Sequence, residues 1–204
     1  MIPADGCGHT DARDILPLFK NNTKLVLVSH ASNVCGALFP LEETASLCRE
    51  RGIPLAVDAA QTAGHINMDF DALGLAALCV PGHKGLLGPE GIGALLLERD
   101  FARSLRPFVA GGTGSASDSF TQPEFLPDKF EPGTLNIPGI IGLDAALGYL
   151  LETGIDAVRA HEQQLTEGFI GALEGAAVRV IGPKDSAERV GVISLDFLDI
   201  DNAR

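Results

Sequence analysis

Three polar pairs each follow a short apolar run: His30 and Asn33 after "KLVLVS", Asp58 and Gln61 after "IPLAV", and His83 and Lys84 after "LAALCVPG". If the runs are strands of an open α/β sheet, all six residues lie beyond carboxyl ends, where such sheets bind ligands. Each has an ordinary alternative. A strand-end Asp is commonly a cap or turn residue, a loop His just a loop His, and a loop Lys a solvated charge. Together they offer a carboxylate at one strand end and a primary amine at a later one. A lysine in a crowded, partly desolvated loop has its pKa lowered and becomes a nucleophile toward carbonyl carbon.

That pairing suits pyridoxal phosphate, which needs an amine to form a Schiff base and an acid to keep its ring nitrogen protonated. A carboxylate beside the pyridinium remains ionised and strengthens the electron sink. Competing chemistries find little support. "GPEGIG" follows no strand-to-helix turn of the dinucleotide type, and neither G-x-x-x-x-G-K-[ST] nor G-x-S-x-G occurs. His9, Asp11 and Asp14 read as an exposed N-terminal turn, so no metal site is expected.

The elements that must position these residues alternate along the chain. "KLVLVSH", "IPLAVDAAQ", "GLAALCV" and "GIGALLLE" read as strands, and "LEETASLCRERG" as a helix, acidic early, basic late and stopped by glycine. This predicts an α/β fold with a mainly parallel sheet. Residues 103–138 are rich in Gly, Ser, Pro and Thr without a period and read as a long loop. "GIIGLDAALGYLLETG" and "IDAVRAHEQQLTEGFIGALEG" follow as helices, the second with Val158, Leu165, Phe169 and Leu173 near helical spacing. "AVRVIGP" and "VGVISLDF" are strands of a further unit.

Composition narrows the partners. The 204 residues carry 15 basic and 27 acidic side chains, a net charge of −12, which disfavours nucleic acid and anionic membrane surfaces. No apolar run is long enough to span a bilayer and no signal peptide is visible, so a cytoplasmic location is expected. Cys7, Cys35, Cys48 and Cys79 form no C-x-x-C pair and read as free thiols, with Cys79 a core residue.

"VSHASNVCG", "AVDAAQTAGH", "VPGHKGLLGPEGIGALL" and "FEPGTLNIPGIIGL", in this order, resemble the class V aminotransferases, most closely the cysteine desulfurase and selenocysteine lyase branch. The resemblance covers nearly the whole chain. It implies a fold type I pyridoxal-phosphate enzyme, with Lys84 as the Schiff-base lysine and Asp58 as partner of the pyridine nitrogen. It assigns Asn33 and Gln61 to the ring oxygen and His83 to the phosphate. By the same likeness Gly112 and Thr113 reach a neighbouring subunit's phosphate in a homodimer. Glu131, Thr134 and Asn136 match a segment beside the active site whose individual roles stay open.

The implied reaction is C–S cleavage of cysteine or selenocysteine, giving alanine and enzyme-bound sulfur for an acceptor protein. A class V aminotransferase or lyase acting on another amino acid, and an inactive remnant, are the alternatives. Two departures stand out. Pro81 occupies a position where many relatives carry a phosphate-binding hydroxyl. The chain is also about half the family's length, which reads as an incomplete sheet. On that reading residues 1–150 are part of the large cofactor domain, and 151–204 are a linker helix and the start of a small α+β domain. The ring-stacking histidine, sulfur-accepting cysteine and carboxylate-binding arginine are then expected outside these residues.

Overall fold

The computed structural model describes residues 2–115 and 119–202. A 3-10 helix, Ala12–Leu18, opens the chain, with the Asp11 side chain accepting the Arg13 N–H at its start. Strand β1 (Val26–Ser29), helix α1 (Leu41–Glu50), strand β2 (Leu55–Asp58) and the single-turn α2 (Phe70–Leu73) follow. Strands β3 (Ala77–Pro81) and β4 (Gly93–Leu97) flank the lysine loop, and α3 (Arg99–Ser104) comes next. The long helices α4 (Ile137–Thr153) and α5 (Ile155–Ala172) precede β5 (Val178–Ile181) and β6 (Ser194–Phe197).

The sheet runs β1-β2-β3-β4, with β1, β2 and β3 parallel and β4 antiparallel to β3. The expected mainly parallel sheet is present, and its three parallel strands end on the same side. Register decides which side chains share a face. Val28, Val57 and Leu78 form one row; Ser29, Asp58, Cys79 and Leu95 form the next, pointing the other way.

The first face is the core. Val26, Val28, Leu55, Val57 and Leu78 pack against Leu41, Ala45 and Cys48 of α1 and Ile15 of the 3-10 helix. Positions 41, 45 and 48 lie on one stripe of α1, so the helix buries an apolar face while Glu42, Glu43 and Arg49 sit at the ends its dipole favours. Burying a leucine such as Leu41, fully enclosed here, contributes about 1.5–3 kcal/mol.

The second face is open, with Leu27 and Leu95 exposed. This corrects the expectation for Cys79. It is exposed rather than core, because its register row faces away from α1. The expected apolar stripe on α5 is also corrected. Leu165 and Phe169 are exposed, whereas Thr166 is buried and Arg159 and Glu162 are mostly enclosed. The inward face of α5 is polar because it meets backbone carbonyls of residues 186–189 rather than an apolar layer.

β5 and β6 pair antiparallel. The stretch between them docks on the turn after β1: Leu38 N–H donates to Glu188 O at 2.9 Å, and Val190 N–H to Gly36 O at 3.0 Å. The loop expected over residues 103–138 holds the end of α3 and a 3-10 turn at Asp128–Phe130. It is anchored by the buried Lys129, which donates to Arg103 O and pairs with Glu124 at 2.9 Å. Among the described residues no helix is long and apolar enough to cross a membrane.

Candidate active site

The three parallel strand ends build the site. At the end of β1, His30 is buried and its backbone N–H donates to Asp58 O at 2.9 Å. Its Nδ1 lies 2.9 Å from Thr62 Oγ1. Burial pushes the imidazole pKa below its ordinary value, with Glu42 opposing weakly. His30 is therefore a neutral structural histidine that ties β1 to the turn after β2. Asn33 sits exposed on the following turn, which Ser32 Oγ shapes by accepting the Val34 and Cys35 N–H groups.

At the end of β2, Asp58 Oδ1 accepts the Ala60 N–H at 2.8 Å, turning the chain so that Gln61 is presented on a tight turn. That turn is closed by Thr62 and Ala63 N–H to Ala59 O, and by His65 and Ile66 N–H to Thr62 O. One oxygen of Asp58 is used locally, and the other has no hydrogen bond among the described residues. Cys79 is Asp58's neighbour across the ladder; although the residue is exposed, partial desolvation of its thiol and then that carboxylate raise the thiol pKa.

At the end of β3, Pro81 pairs with Gly93 and the chain leaves the sheet. Gly82 N–H bonds Ile92 O and Gly88 N–H bonds Gly82 O, both at 2.8 Å, so the lysine loop is cinched at its base. Within it Leu87 N–H bonds Lys84 O at 2.8 Å. Leu87 adopts φ 59°, a left-handed conformation costing a non-glycine residue roughly 1–3 kcal/mol and typical of functional sites. His83 and Lys84 stand exposed at the tip. Lys84 is thus not desolvated as the sequence led us to expect; among the described residues its ammonium has neither hydrogen bond nor ion pair.

The loop is held from behind. A Cβ on Gly64 (φ 84°) would fall 2.1 Å from Gly85 O, and one on Gly85 would fall 2.4 Å from His65 Nε2. Only glycines allow this approach, which seats the turn carrying Gln61 directly beneath Lys84. Asp58, Gln61, His83 and Lys84 are therefore on adjoining segments, with Asn33 on the turn beyond His30.

Gly112 and Thr113 lie elsewhere. Gly112 O accepts the Gly133 N–H at 2.6 Å, and Thr113 Oγ1 lies 2.9 Å from Ser115 Oγ. Among the described residues neither has a hydrogen bond to the strand-end cluster. Asn136 caps α4 through the Gly139 N–H and donates to Gly91 O at 3.2 Å, a positioning role behind β4. Glu131 and Thr134 are exposed. No cluster of His, Cys, Asp and Glu among the described residues could hold a metal ion. His9 instead pairs with Asp5 and Glu188.

Sequence reasoning missed Thr62, His65, Arg159, Glu162 and Arg189. The clearest available signal was "TAGHIN", where a histidine follows a glycine on the turn that carries Gln61.

The family model described as aminotransferase class-V matches residues 1–204. A probable cysteine desulfurase of Pyrococcus abyssi is 35% identical over 202 residues, covering 96% of this chain and 49% of that protein. A cysteine desulfurase of Salmonella newport is 34% identical over 201 residues, covering 97% and 48%. The apo structure of a cysteine desulfurase from Thermococcus onnurineus NA1 matches with a TM-score of 0.89 at 32% identity, over 98% of this chain and 50% of that one. The chain thus spans about half the length of these relatives. A lysine on a glycine loop beyond one strand and an aspartate ending its neighbour therefore stand in a fold type I scaffold, and the chain belongs to the class-V aminotransferase family.

Proposed function

We propose that the chain carries the cofactor-anchoring part of a pyridoxal-phosphate-dependent cysteine desulfurase, with Lys84 as the covalent attachment point. The observation that carries this is the Lys84 ammonium, unpartnered among the described residues, on a strained glycine loop seated against the turn from Asp58 to Gln61. The donor set fits the group in type: an amine for the aldehyde, a carboxylate for the ring nitrogen, and amide side chains for the ring oxygen. The likeness to the cysteine desulfurases of Pyrococcus abyssi and Salmonella newport supports cysteine as substrate.

When bound, pyridoxal phosphate withdraws electrons from the Cα of an attached amino acid. Asp58 holds the ring nitrogen protonated, and its Ala60 hydrogen bond fixes the carboxylate's orientation. Asn33 and Gln61 orient the ring through its oxygen, and His83 contributes to the phosphate. Lys84 would hold and return the proton at the substrate's Cα. Pro81 offers the phosphate neither hydroxyl nor N–H, so that contact is lost or is supplied elsewhere. In the whole protein an enzyme thiolate would take the sulfur as the C–S bond of cysteine breaks, forming a persulfide that an acceptor later takes up, and protonation of the carbon left behind would give alanine.

The reading extends to a homodimer in which Gly112 and Thr113 serve the partner's phosphate. It also divides the chain into a large-domain part, residues 1–150, and a second part from 151.

The test is chemical. After incubation with pyridoxal phosphate and reduction with borohydride, mass spectrometry finds the pyridoxyl mass on the peptide containing Lys84, and Lys84→Ala abolishes it. Labelling spread over other lysines, or none, overturns the assignment. Sulfide and alanine release from cysteine, against keto-acid-dependent transamination, then tests the substrate class.

A further inference from the structure

Behind Lys84 runs a line of contacts to the far end of the chain. His65 lies on the turn that presents Gln61, and its ring fills the space a Cβ on Gly85 would occupy, 2.3 Å from Cδ2 and 2.4 Å from Nε2. Gly85 is the residue after Lys84. The other side of the ring meets α5: His65 Nδ1 is 3.3 Å from Glu162 Oε1, with both side chains mostly enclosed. Nδ1 is buried and among the described residues makes no well-aligned hydrogen bond, and the Glu162 carboxylate is the charged group beside it.

Glu162 is itself fixed. Its Oε1 accepts the Gly191 N–H at 3.1 Å and its Oε2 meets Arg159 Nη1 at 3.2 Å. Arg159 donates to the carbonyls of Arg189 at 2.7 Å and Ser186 at 2.9 Å. The carboxylate packed 3.3 Å from Nδ1 limits how the ring can turn.

We propose that His65 is a positioning residue for Lys84: an imidazole wedge, oriented by Glu162 of α5, that fixes the lysine loop against the rest of the fold. It touches neither cofactor nor substrate. Its role rests on the reading of Lys84 as the attachment point, but its effect on the loop is measurable without cofactor. The Glu162 carboxylate orients the ring, the ring supports Gly85, and Gly85 sets where the neighbouring amine stands. Displacing such a group by an ångström costs reactivity even where the fold survives.

The experiment uses the full chain and the variants His65→Ala, His65→Asn and Glu162→Gln, with two readouts. The first is amide hydrogen exchange. In His65→Ala the Leu87 and Gly88 amides, which bond Lys84 O and Gly82 O, exchange about ten-fold faster, while α1 is unchanged. His65→Asn keeps a donor near the Nδ1 position but loses the ring, so the Gly191 amide held by Glu162 exchanges as in the wild type while Leu87 and Gly88 exchange faster. Glu162→Gln keeps the shape and loses the charge, and gives an intermediate increase at both places.

The second readout is the rate at which Lys84 takes up pyridoxal phosphate, followed by absorbance and borohydride trapping. It falls about ten-fold in His65→Ala, and less in Glu162→Gln. Unchanged exchange at Leu87 and Gly88, or an increase spread equally over α1, overturns the proposal. If His65→Ala does not fold, Glu162→Gln decides by the same two amides. Should wild-type Lys84 take up no cofactor while the exchange pattern appears, the functional reading fails and the positioning of the loop stands.

Discussion

Replacing Gly64 with alanine tests the packing beneath the lysine loop most directly. Two costs add. Gly64 has φ 84°, where a side chain costs about 1–2 kcal/mol. The new methyl would also lie 2.1 Å from Gly85 O, 2.4 Å from Gly85 C and 3.0 Å from Leu86 N, all backbone atoms that no rotamer change can move. Normal contact requires the lysine loop to retreat by more than an ångström, an overpacking cost of about 1–3 kcal/mol. The sum is about 2–5 kcal/mol, or a displaced loop at lower cost. Gly52 supplies the control: its φ is 62° and nothing lies within 4 Å of its Cβ position, so Gly52→Ala incurs the backbone term alone. Urea denaturation of both variants, paired with borohydride trapping at Lys84, separates the terms. We expect Gly64→Ala to be the less stable by about 1–3 kcal/mol and to trap cofactor poorly, and Gly52→Ala to trap normally. Equal stability losses and equal trapping would refute the close approach of the two loops.

The remaining predictions concern buried polar groups. His30 has a folded pKa below its unfolded value, so at low pH the unfolded chain binds a proton that the folded chain resists. Its contribution is intact above about pH 6.5 and is lost as pH falls below that, with a slope of up to about 1.4 kcal/mol per pH unit. Urea midpoints between pH 7 and 5 should fall more steeply in the wild type than in His30→Gln; identical slopes would remove His30 as the cause. Arg189 is 0% exposed and donates to the carbonyls of Pro183 and Val192, and at 3.4 Å to Val190 O. Arg189→Met leaves at least two carbonyls without their donor and should cost about 2–6 kcal/mol. Arg189→Lys recovers only part, because one ammonium cannot reproduce the fork; full recovery in urea titrations would contradict this geometry.

Local pattern carried the elements well. The apolar runs before His30, Asp58 and Lys84 became β1, β2 and β3, and the charge gradient of α1 matched its ends. Lys84 and Asp58 were legible because strand ends and glycine loops are written in neighbouring residues. What failed depends on distant ones. Cys79 alternates correctly along β3, yet which face is buried is decided by where α1 packs. On α5 the apolar Leu165 and Phe169 gave the wrong face, because Arg159 and Glu162 satisfy carbonyls and an amide some 30 residues later. Lys84's exposure likewise follows from how the loop tip projects, which composition does not encode.

The docking of residues 188–190 onto residues 36–38 also has a consequence for biosynthesis. The turn carrying Asn33 is translated early, but its hydrogen-bond partners follow about 150 residues later. At ordinary elongation rates that interval is roughly 8–30 s. During it the strand ends and the lysine loop can already form, while the Asn33 turn lacks its clamp. Synonymous codon changes that slow translation between α1 and β6 should therefore lower the soluble yield of this chain without altering the folded product.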